Sequence, residues 1–340
     1  LGSPMKYKSV IVTERGGPEM LQVVEHDLRL PKLGEARIDV AACLVCGPDV
    51  TARYGESPFI PKPPFTPGYA VVGDVESVGR GVTNVAVGDR VAALTAYGGY
   101  TEQLYWNAEK LIPVPPHLDP VEVAPLILNY IVAYHVIHRW AKAEAGDKVL
   151  VIGASGGVGT ALLQLGQLAG LEMYGIASQS KHPVLEEYGA VPIDYGSQDF
   201  VTVIREREPD GLDAVFDGMA GEYFKRGYSL LKRGGVLVGY GNPNSYRGMF
   251  QLFGRVLLYN LLPNGKSAKL YSTGISHLRW DMFLNDWANL FQMLDEGEIK
   301  PIIEATFPLL EARQANQLLE SGQVIGNVVL EKPDTPRSQT

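Results

Sequence analysis

The sequence predicts an α/β protein in which a doubly wound parallel sheet is inserted into a β-rich domain built from both ends of the chain. A β-branched run, a glycine-rich turn and an apolar helical pattern follow one another over residues 149–168. Strand and helix patterns then alternate up to about residue 242, which is typical of a parallel sheet covered by helices on both faces. Short alternating runs broken by glycine and proline flank this part of the chain and predict the β-rich domain.

The amino-terminal part, from residue 5 to about residue 125, contains most of these short alternating runs. They predict strands at 7–12, 36–40, 69–78 and 90–94, with a hairpin-like turn around Gly88 and Asp89. The segment 58–68 is rich in proline, which lacks the N–H group that a central strand needs, so it is predicted to be a loop.

The alternating part supplies the inserted domain. Its candidate strands are 149–152, 173–177, 214–217 and 236–239, and a last strand at 326–330 follows the return to mixed structure after residue 271. We expect one domain at 5–127 plus 266–332 and the other at 128–265. Residues 1–4 resemble a cleavage remnant, and the polar tail 333–340 is expected to be disordered.

The first crossover of the inserted domain carries a phosphate-binding turn. The turn runs from Gly153 to Gly159 in the order Gly-Ala-Ser-Gly-Gly-Val-Gly, between the strand pattern and the helix pattern. Glycines let the backbone approach a pyrophosphate closely, and the first N–H groups of a helix attract its negative charge. A strand, a glycine turn and a helix in this order predict a dinucleotide site.

The strand after this helix indicates which dinucleotide is bound. An NAD site usually has Asp or Glu about 20 residues after the turn, where the carboxylate binds the ribose 2′-hydroxyl. This chain has Gly175-Ile-Ala-Ser178 at that place, without a carboxylate that would repel a 2′-phosphate. Ser178 offers a hydrogen-bond donor and Lys181 a positive charge, so we predict NADP(H) as the cofactor.

Composition excludes several classes of function. The formal net charge is −8 over 340 residues, so no nucleic-acid partner is expected. The chain has only two cysteines, Cys43 and Cys46, which are expected to be reduced thiols in a cytoplasmic setting. No signal peptide is recognisable and no apolar stretch is expected to reach the length of a membrane span, so stable membrane insertion is not predicted.

Five segments carry a family resemblance: 128–134, 153–159 with Gln164, 177–182, 192–195, and 225–231 with 239–241. On these segments the chain resembles the zinc-independent medium-chain dehydrogenase/reductases, in particular the quinone oxidoreductase branch and the proteins similar to the vesicle amine transport protein. The resemblance extends over nearly the whole chain. It implies a Rossmann domain inserted into a GroES-like catalytic domain, a homodimer formed through the Rossmann sheets, and a small-molecule substrate such as a quinone or enone.

The resemblance also implies a set of cofactor contacts. In chain order they are Asn129 near the nicotinamide; Ser155, Gly156, Gly157 and Val158 on the pyrophosphate; Ser178, Lys181 and Tyr195 on the 2′-phosphate; Gly239, Tyr240 and Gly241 along the ribose and nicotinamide; Thr273, Gly274 and Ile275 closing over the nicotinamide; and Asn327 near the cleft. Simple turn geometry explains Gly239 and Gly241 equally well.

A metal is not expected. Zinc-bearing relatives have a cysteine followed later by Gly-His-Glu, whereas this chain has Cys46 and then Gly68-Tyr69-Ala70. A catalytic zinc needs three protein ligands, and a four-cysteine structural lobe is impossible with two cysteines. His135 and His138 have no acidic partner nearby in sequence, so they are interpreted as solvent or packing residues.

Without a metal, the substrate oxygen needs a hydrogen-bond donor or a proton source as hydride arrives. The candidates are Tyr54, Tyr69 and Tyr130, and packing is the alternative role for each of them. Arg53 is predicted to form a structural ion pair with Asp49.

The substrate residues of the family do not carry over to this chain. Quinone reductases that resemble it often have Asn in place of Cys46 and tyrosines near Thr51 and Ser57, and the sequence departs at all three positions.

Residues 246–262 are unusually apolar and include two arginines. Helical spacing places Phe250, Phe253, Leu257 and Leu261 on one stripe. The stripe is interpreted as a lid over the substrate cleft, a dimer contact or an element that touches a membrane surface, and a plain buried helix is the alternative. The family resemblance favours the lid.

Three functions remain open from the sequence. The first is a metal-free NADPH-dependent reductase that transfers hydride to a quinone or to an α,β-unsaturated carbonyl. The second is a metal-free alcohol or carbonyl reductase on the same scaffold. The third is a non-catalytic NADPH-binding partner protein of the vesicle type, which the departures from the family's substrate residues keep open.

Overall fold

A computed structural model of the chain describes residues 5–56, 60–241 and 245–333, and it divides into two units. One unit contains the residues up to Leu128 together with those from Trp287 onward, and the other contains Asn129–Asp286. The expected cleavage remnant at 1–4 lies outside the described residues, as does the expected disordered tail apart from Pro333.

Each of the nine predicted strands overlaps an observed strand, and the described residues contain six further strands that were not predicted. The strands are β1 (Lys6–Val12), β2 (Leu21–Asp27), β3 (Glu35–Val45), β4 (Ala70–Val78), β5 (Arg90–Leu94), β6 (Gln103–Asn107), β7 (Ile112–Pro113), β8 (Lys148–Ile152), β9 (Glu172–Ala177), β10 (Val191–Asp194), β11 (Leu212–Asp217), β12 (Leu231–Gly239), β13 (Ser267–Leu270), β14 (Ile303–Pro308) and β15 (Asn327–Glu331). The α-helices are α1 (Gly47–Tyr54), α2 (Pro120–Pro125), α3 (Ile131–Tyr134), α4 (Gly157–Leu168), α5 (His182–Glu187), α6 (Phe200–Arg207), α7 (Gly221–Ser229), α8 (Tyr246–Leu261), α9 (Trp280–Asp295) and α10 (Ala312–Glu320).

The unit built from both ends of the chain is β-rich. In its described part, seven strands form one sheet in the order β14-β15-β3-β4-β5-β7 with β6 paired to β3, and β1 and β2 form an antiparallel pair. The long strand β3 is almost entirely buried, and branched side chains such as Ile38 and Val40 pack in the core of this unit. β15 pairs with β3, so the carboxyl-terminal part of the chain completes a sheet begun by the amino-terminal part.

The inserted unit contains a parallel sheet in the order β10-β9-β8-β11-β12-β13. β8 lies in the middle of the sheet and has the sequence Lys-Val-Leu-Val-Ile, of which the last four residues are buried, as expected for a strand covered on both faces. The strand order reverses between β8 and β11, which is the topological switch point of a doubly wound sheet. The predicted fold class is therefore confirmed.

The second domain boundary differs from the expected one after residue 265. β13 pairs in parallel with β12, from Ser267 opposite Val236 to Leu270 opposite Gly239. Because β13 is a strand of the inserted sheet, the inserted unit continues to Asp286.

The helical stretch Pro120–Ala141 corrects another expectation. It joins α2 and α3 through π-helical turns and is, by length and composition, apolar enough to cross a membrane, although no such stretch was predicted. However, 89% of its most apolar window is buried inside the protein. Burial of this kind is typical of a core helix.

The apolar stripe on α8 lies on the outside of the inserted unit. Phe250 is 73% exposed and Leu261 is also 73% exposed, while Phe253 and Leu257 are exposed to a similar degree. The plain buried-helix interpretation is therefore wrong for this stripe. Leu252, on the opposite side of α8, is the residue that packs into the core.

Candidate functional site

The carboxyl ends of the six parallel strands form one edge of the inserted sheet. The residues that end the strands, in the order in which they lie across the sheet, are Asp194, Ala177, Ile152, Asp217, Gly239 and Leu270. Ligands of open parallel sheets bind in the crevice beyond this edge, at the switch point. Most of the predicted cofactor residues follow directly after one of these strand ends, so the fold gathers them along one edge.

The predicted phosphate turn has the geometry that a pyrophosphate site requires. Gly153 has a φ of +84°, and a Cβ on Gly159 would lie 2.2 Å from the carbonyl oxygen of Gly153. Helix α4 begins after Gly156, whose extended backbone provides no side chain to cap the first N–H groups. These groups, together with the predicted Ser155, Gly157 and Val158, fit the pyrophosphate of a dinucleotide.

The predicted 2′-phosphate residues lie beyond β9 and β10. Ser178 follows the last residue of β9, Lys181 ends a short 3-10 turn, and Tyr195 follows β10 with 59% of its surface exposed. The ring nitrogen Nε2 of His182 is buried here without a hydrogen-bond partner among the described residues. The carboxylate of Asp194 accepts hydrogen bonds from Gly196 N and Ser197 Oγ of its own turn. The donors present fit a 2′-phosphate.

Sequence reasoning did not single out Asp217, which ends β11 at the switch point. Its side chain is fully buried, and its Oδ1 accepts hydrogen bonds from Met219 N at 2.8 Å and Ala220 N at 3.1 Å. Its Oδ2 has no partner among the described residues, and burial raises the pKa of the carboxyl to about 6. The signal was present in the sequence, because Asp217 is a charged residue at the end of a predicted apolar strand.

The turns after β11 and β12 pack against each other. Tyr240 N and Gly241 N both donate to the carbonyl oxygen of Asp217, at 2.9 and 3.2 Å. A Cβ on Gly241 would lie 2.2 Å from the oxygen of Gly218, and one on Gly239 would lie 2.8 Å from the Phe224 ring. Close packing therefore requires glycine at both positions, whereas neither has the positive φ that the turn-geometry alternative would use.

Tyr130 contacts helix α4. It is fully buried, and its hydroxyl donates to Gln164 Oε1 of α4 at 2.9 Å. Burial raises the pKa of its phenol, which makes proton donation harder. The contact supports a packing role for Tyr130. Its neighbour Asn129 is also buried, at 7% exposure.

The β-rich unit holds a buried polar cluster around Asp49. Its Oδ1 accepts from Gly68 N at 2.9 Å, and its Oδ2 accepts from Cys46 N at 3.0 Å, from Cys46 Sγ at 3.2 Å and from Tyr100 Oη at 3.1 Å. Asp49 thereby fixes both Cys46 and the Gly68-Tyr69 segment. Tyr69 itself is half-buried, and its carbonyl oxygen accepts from Thr95 N at 2.8 Å.

The donor set in this cluster does not fit a catalytic zinc. A catalytic zinc needs three protein ligands, whereas the hydrogen bonds of this cluster join one thiol and one carboxylate, and the thiol of Cys46 donates to Asp49. Cys43 is likewise a buried free thiol. Across the described residues, no group of three or more His, Cys, Asp or Glu side chains is arranged to hold a metal ion.

The predicted ion pair between Arg53 and Asp49 is wrong. The buried guanidinium of Arg53 instead pairs with Glu320 of α10 and donates to the carbonyl oxygen of Gly16. The hydroxyl of Tyr54 also donates to Glu320, at 3.1 Å. Tyr54 is therefore held by α10, in an exposed position 42% open to solvent.

Asn327 lies in the β-rich unit, at the start of β15, and is 1% exposed. Its amide nitrogen donates to the carbonyl oxygen of Ile302 at 2.9 Å. This bond helps to align β15 with β14.

The Asp49 cluster should make stability depend on pH. Burial raises the pKa of Asp49 from 3.8 to about 6, so the folded protein binds this proton more tightly than the unfolded chain does. The free energy of unfolding should therefore fall by about 3 kcal/mol as the pH rises from about 3 to about 7, with most of the change between about 4 and about 6. Asp49→Asn removes this titration. The difference in the free energy of unfolding between the wild type and the variant should therefore change over the same pH range. Denaturant unfolding across the window measures it, and parallel stability curves would contradict the assignment.

Two family models match the chain. One, described as an alcohol dehydrogenase GroES-like domain, matches residues 32–116. The other, described as a zinc-binding dehydrogenase, matches residues 188–330. The second description names a metal, which the donor set around Cys46 does not fit.

Similar proteins cover nearly the whole chain. The synaptic vesicle membrane protein VAT-1 homolog of Danio rerio is 30% identical over 95% of this chain and 70% of its own length. A quinone oxidoreductase of Rattus norvegicus is 30% identical over 95% of this chain and 97% of its own length. The solved structure of a mycobacterial protein complexed with NADPH has a TM-score of 0.81 and 29% identity, over 96% of this chain and 99% of that one. The chain therefore belongs to the medium-chain dehydrogenase/reductase family of oxidoreductases, together with the VAT-1 homologs and the quinone oxidoreductases.

Proposed function

We propose that the protein is a metal-free, NADPH-dependent reductase that transfers hydride to a quinone or to the β-carbon of an α,β-unsaturated carbonyl. The observation that carries the proposal is the edge of the parallel sheet. There the uncapped start of α4 lies beside a β9 end that carries Ser178 and Lys181 and no carboxylate. The similarity to a quinone oxidoreductase and to an NADPH-bound structure supports the same cofactor and substrate class.

The cofactor supplies the hydride when it is bound. The residues of this chain bind and orient it: the first N–H groups of α4 hold the pyrophosphate, and Ser178, Lys181 and Tyr195 hold the 2′-phosphate. The turns after β11 and β12, locked together by Asp217, form a rigid wall at the switch point. Rigid positioning of both reactants lowers the barrier without a charged catalyst.

We keep Tyr69 as the proton-donor candidate because its backbone is fixed in place. Its carbonyl oxygen accepts from Thr95 N, and the preceding Gly68 N donates to the buried carboxylate of Asp49. A fixed backbone would allow its phenol to meet the substrate oxygen in a constant position.

The identity of the product tests the reaction. With an enone as substrate, NADPH that carries deuterium at its transferable position should give a saturated ketone. The deuterium should be on the carbon that was the β-carbon of the enone. An allylic alcohol with deuterium on the former carbonyl carbon would instead assign the protein as a carbonyl reductase. A reaction carried out with an excess of a metal chelator should give the same ketone at the same rate.

We also propose that the protein is a cytoplasmic homodimer. β13 is an edge strand of the parallel sheet, and edge strands have backbone groups that a second copy can pair with. Both cysteines are free and buried, which suits a reducing compartment. Light scattering should give the mass of two chains, and a monomeric mass would contradict the dimer.

A further inference from the structure

A buried polar chain connects three elements of the inserted unit. The His135 ring, which is fully buried, contacts the Tyr271 hydroxyl through Nδ1 at 2.9 Å and Asp286 Oδ2 through Nε2 at 2.8 Å. The guanidinium of Arg139 donates to both oxygens of Asp286, at 2.6 and 3.2 Å. The π-helical turn at 135–141, helix α9 and the end of β13 are thus tied together.

The charge state of Asp286 determines the direction of these bonds. Burial alone would raise the pKa of Asp286, but the hydrogen bonds from His135 and Arg139 hold it below its usual value, so the group is a carboxylate. Nε2 of His135 therefore donates to Asp286, while Nδ1 is hydrogen-bonded to the Tyr271 hydroxyl.

Tyr271 is the first residue beyond the cofactor edge of the sheet. Its N–H donates to the carbonyl oxygen of Gly239, the last residue of β12, at 2.8 Å. Ser272 then caps the 3-10 turn Thr273–Leu278 by accepting from Gly274 N at 3.1 Å. The segment expected to close over the nicotinamide therefore starts from a residue that is bonded at both its backbone and its side chain.

We infer that Tyr271, His135 and Asp286 are positioning residues that hold residues 273–275 in place for the nicotinamide half of the cofactor. The inference rests on the proposed function. The network lies inside the fold and does not touch the reacting atoms, so it acts through the segment that follows Tyr271. Fixing this segment before binding lowers the entropy that must be lost when the nicotinamide is enclosed. The adenosine half, which the β8 and β9 ends hold, does not depend on this segment.

The experiment measures the Kd of two ligands for the Tyr271→Phe variant, in which the aromatic ring remains and the hydroxyl is removed. NADPH contains both halves of the cofactor, whereas adenosine 2′,5′-bisphosphate contains only the adenosine half. We expect the Kd of NADPH to rise about fivefold, because the released segment would have to be ordered on binding, and the Kd of the bisphosphate to stay unchanged. Tyr228→Phe is the matched control, because it also removes a buried hydroxyl, which donates to the carbonyl oxygen of Tyr259. Tyr228 lies near the end of α7, just before β12 begins, and so at the edge of the sheet opposite to the proposed cofactor site. It should change neither Kd.

Two results would overturn the inference. Unchanged binding of both ligands by Tyr271→Phe would show that the network does not position the segment, and an equal loss for both would show that it only supports the fold. Failure of the wild-type protein to bind either ligand would instead refute the proposed cofactor, and the inference with it.

Discussion

Replacing Gly156 by aspartate is expected to weaken NADPH binding on the order of 100-fold without lowering the stability of the fold. Gly156 is the N-cap of α4, with φ of −77° and ψ of 178°, a conformation that aspartate adopts readily. A Cβ there would meet its nearest neighbour at 3.7 Å, which is ordinary contact. The new carboxylate would cap the helix and place a negative charge where the pyrophosphate must bind. Calorimetric titration and thermal unfolding measure the two effects separately.

Gly156→Asn is the matched control for this prediction. Asparagine has the same shape and capping ability but no charge, so it should retain much more affinity for NADPH than the aspartate variant does. Wild-type affinity in Gly156→Asp would mean that the pyrophosphate does not bind at the start of α4. Equal losses in the two variants would mean that side-chain bulk, rather than charge, is responsible.

Lys181→Ala is expected to weaken NADPH binding about 10- to 100-fold and to leave NADH binding nearly unchanged. Lys181 lies in the 3-10 turn that follows the end of β9, where its ammonium group would form a charge-assisted hydrogen bond with the proposed 2′-phosphate. NADH has no phosphate at this position, so it cannot lose that bond. Fluorescence titration with each reduced cofactor gives the ratio of affinities directly.

A second lysine of the same unit serves as the control for Lys181. Lys225 on α7 makes only a loose surface pair with Glu222 at 3.6 Å, so Lys225→Ala should leave both affinities unchanged. Equal losses of NADPH and NADH affinity in Lys181→Ala would remove this residue from the 2′-phosphate site.

The central part of the fold follows from local sequence patterns. The βαβ unit of β8, α4 and β9 was predictable because the apolar run, the glycines and the helical period lie within about 30 consecutive residues. The strand β13 was not, because Ser-Ala-Lys-Leu is short and has no clear period, and its extended form depends on pairing with β12. The missed strand accounts for the displaced domain boundary.

Several buried polar contacts have no signal in the local sequence. His135 and Asp286 are 151 positions apart in the sequence. The lack of an acidic residue near His135 in the sequence therefore did not indicate that a distant carboxylate pairs with it. Arg53 pairs with Glu320, which is 267 positions away in the sequence, and not with Asp49 on its own helix. Which charged groups meet is decided by how distant elements pack, whereas sequence spacing reports only neighbours on one element.

The apolar stripe on α8 shows that helical spacing does not distinguish a buried face from an exposed one. The spacing of Phe250, Phe253 and Leu257 correctly predicts a common helix face, but the period is the same whether that face meets the core or solvent. The cofactor residues were easier to predict, because the ends of parallel strands always share one edge of a sheet.

Oxidation of NADPH by metal-stripped protein tests the central claim most directly. A small panel of ortho- and para-quinones, enals and enones would be offered as acceptors, with NADH as the comparison cofactor and the loss of reduced nicotinamide absorbance as the readout. We expect turnover that prefers NADPH and survives chelation. Tight NADPH binding without turnover on any acceptor, or activity that appears only after zinc is restored, would contradict it.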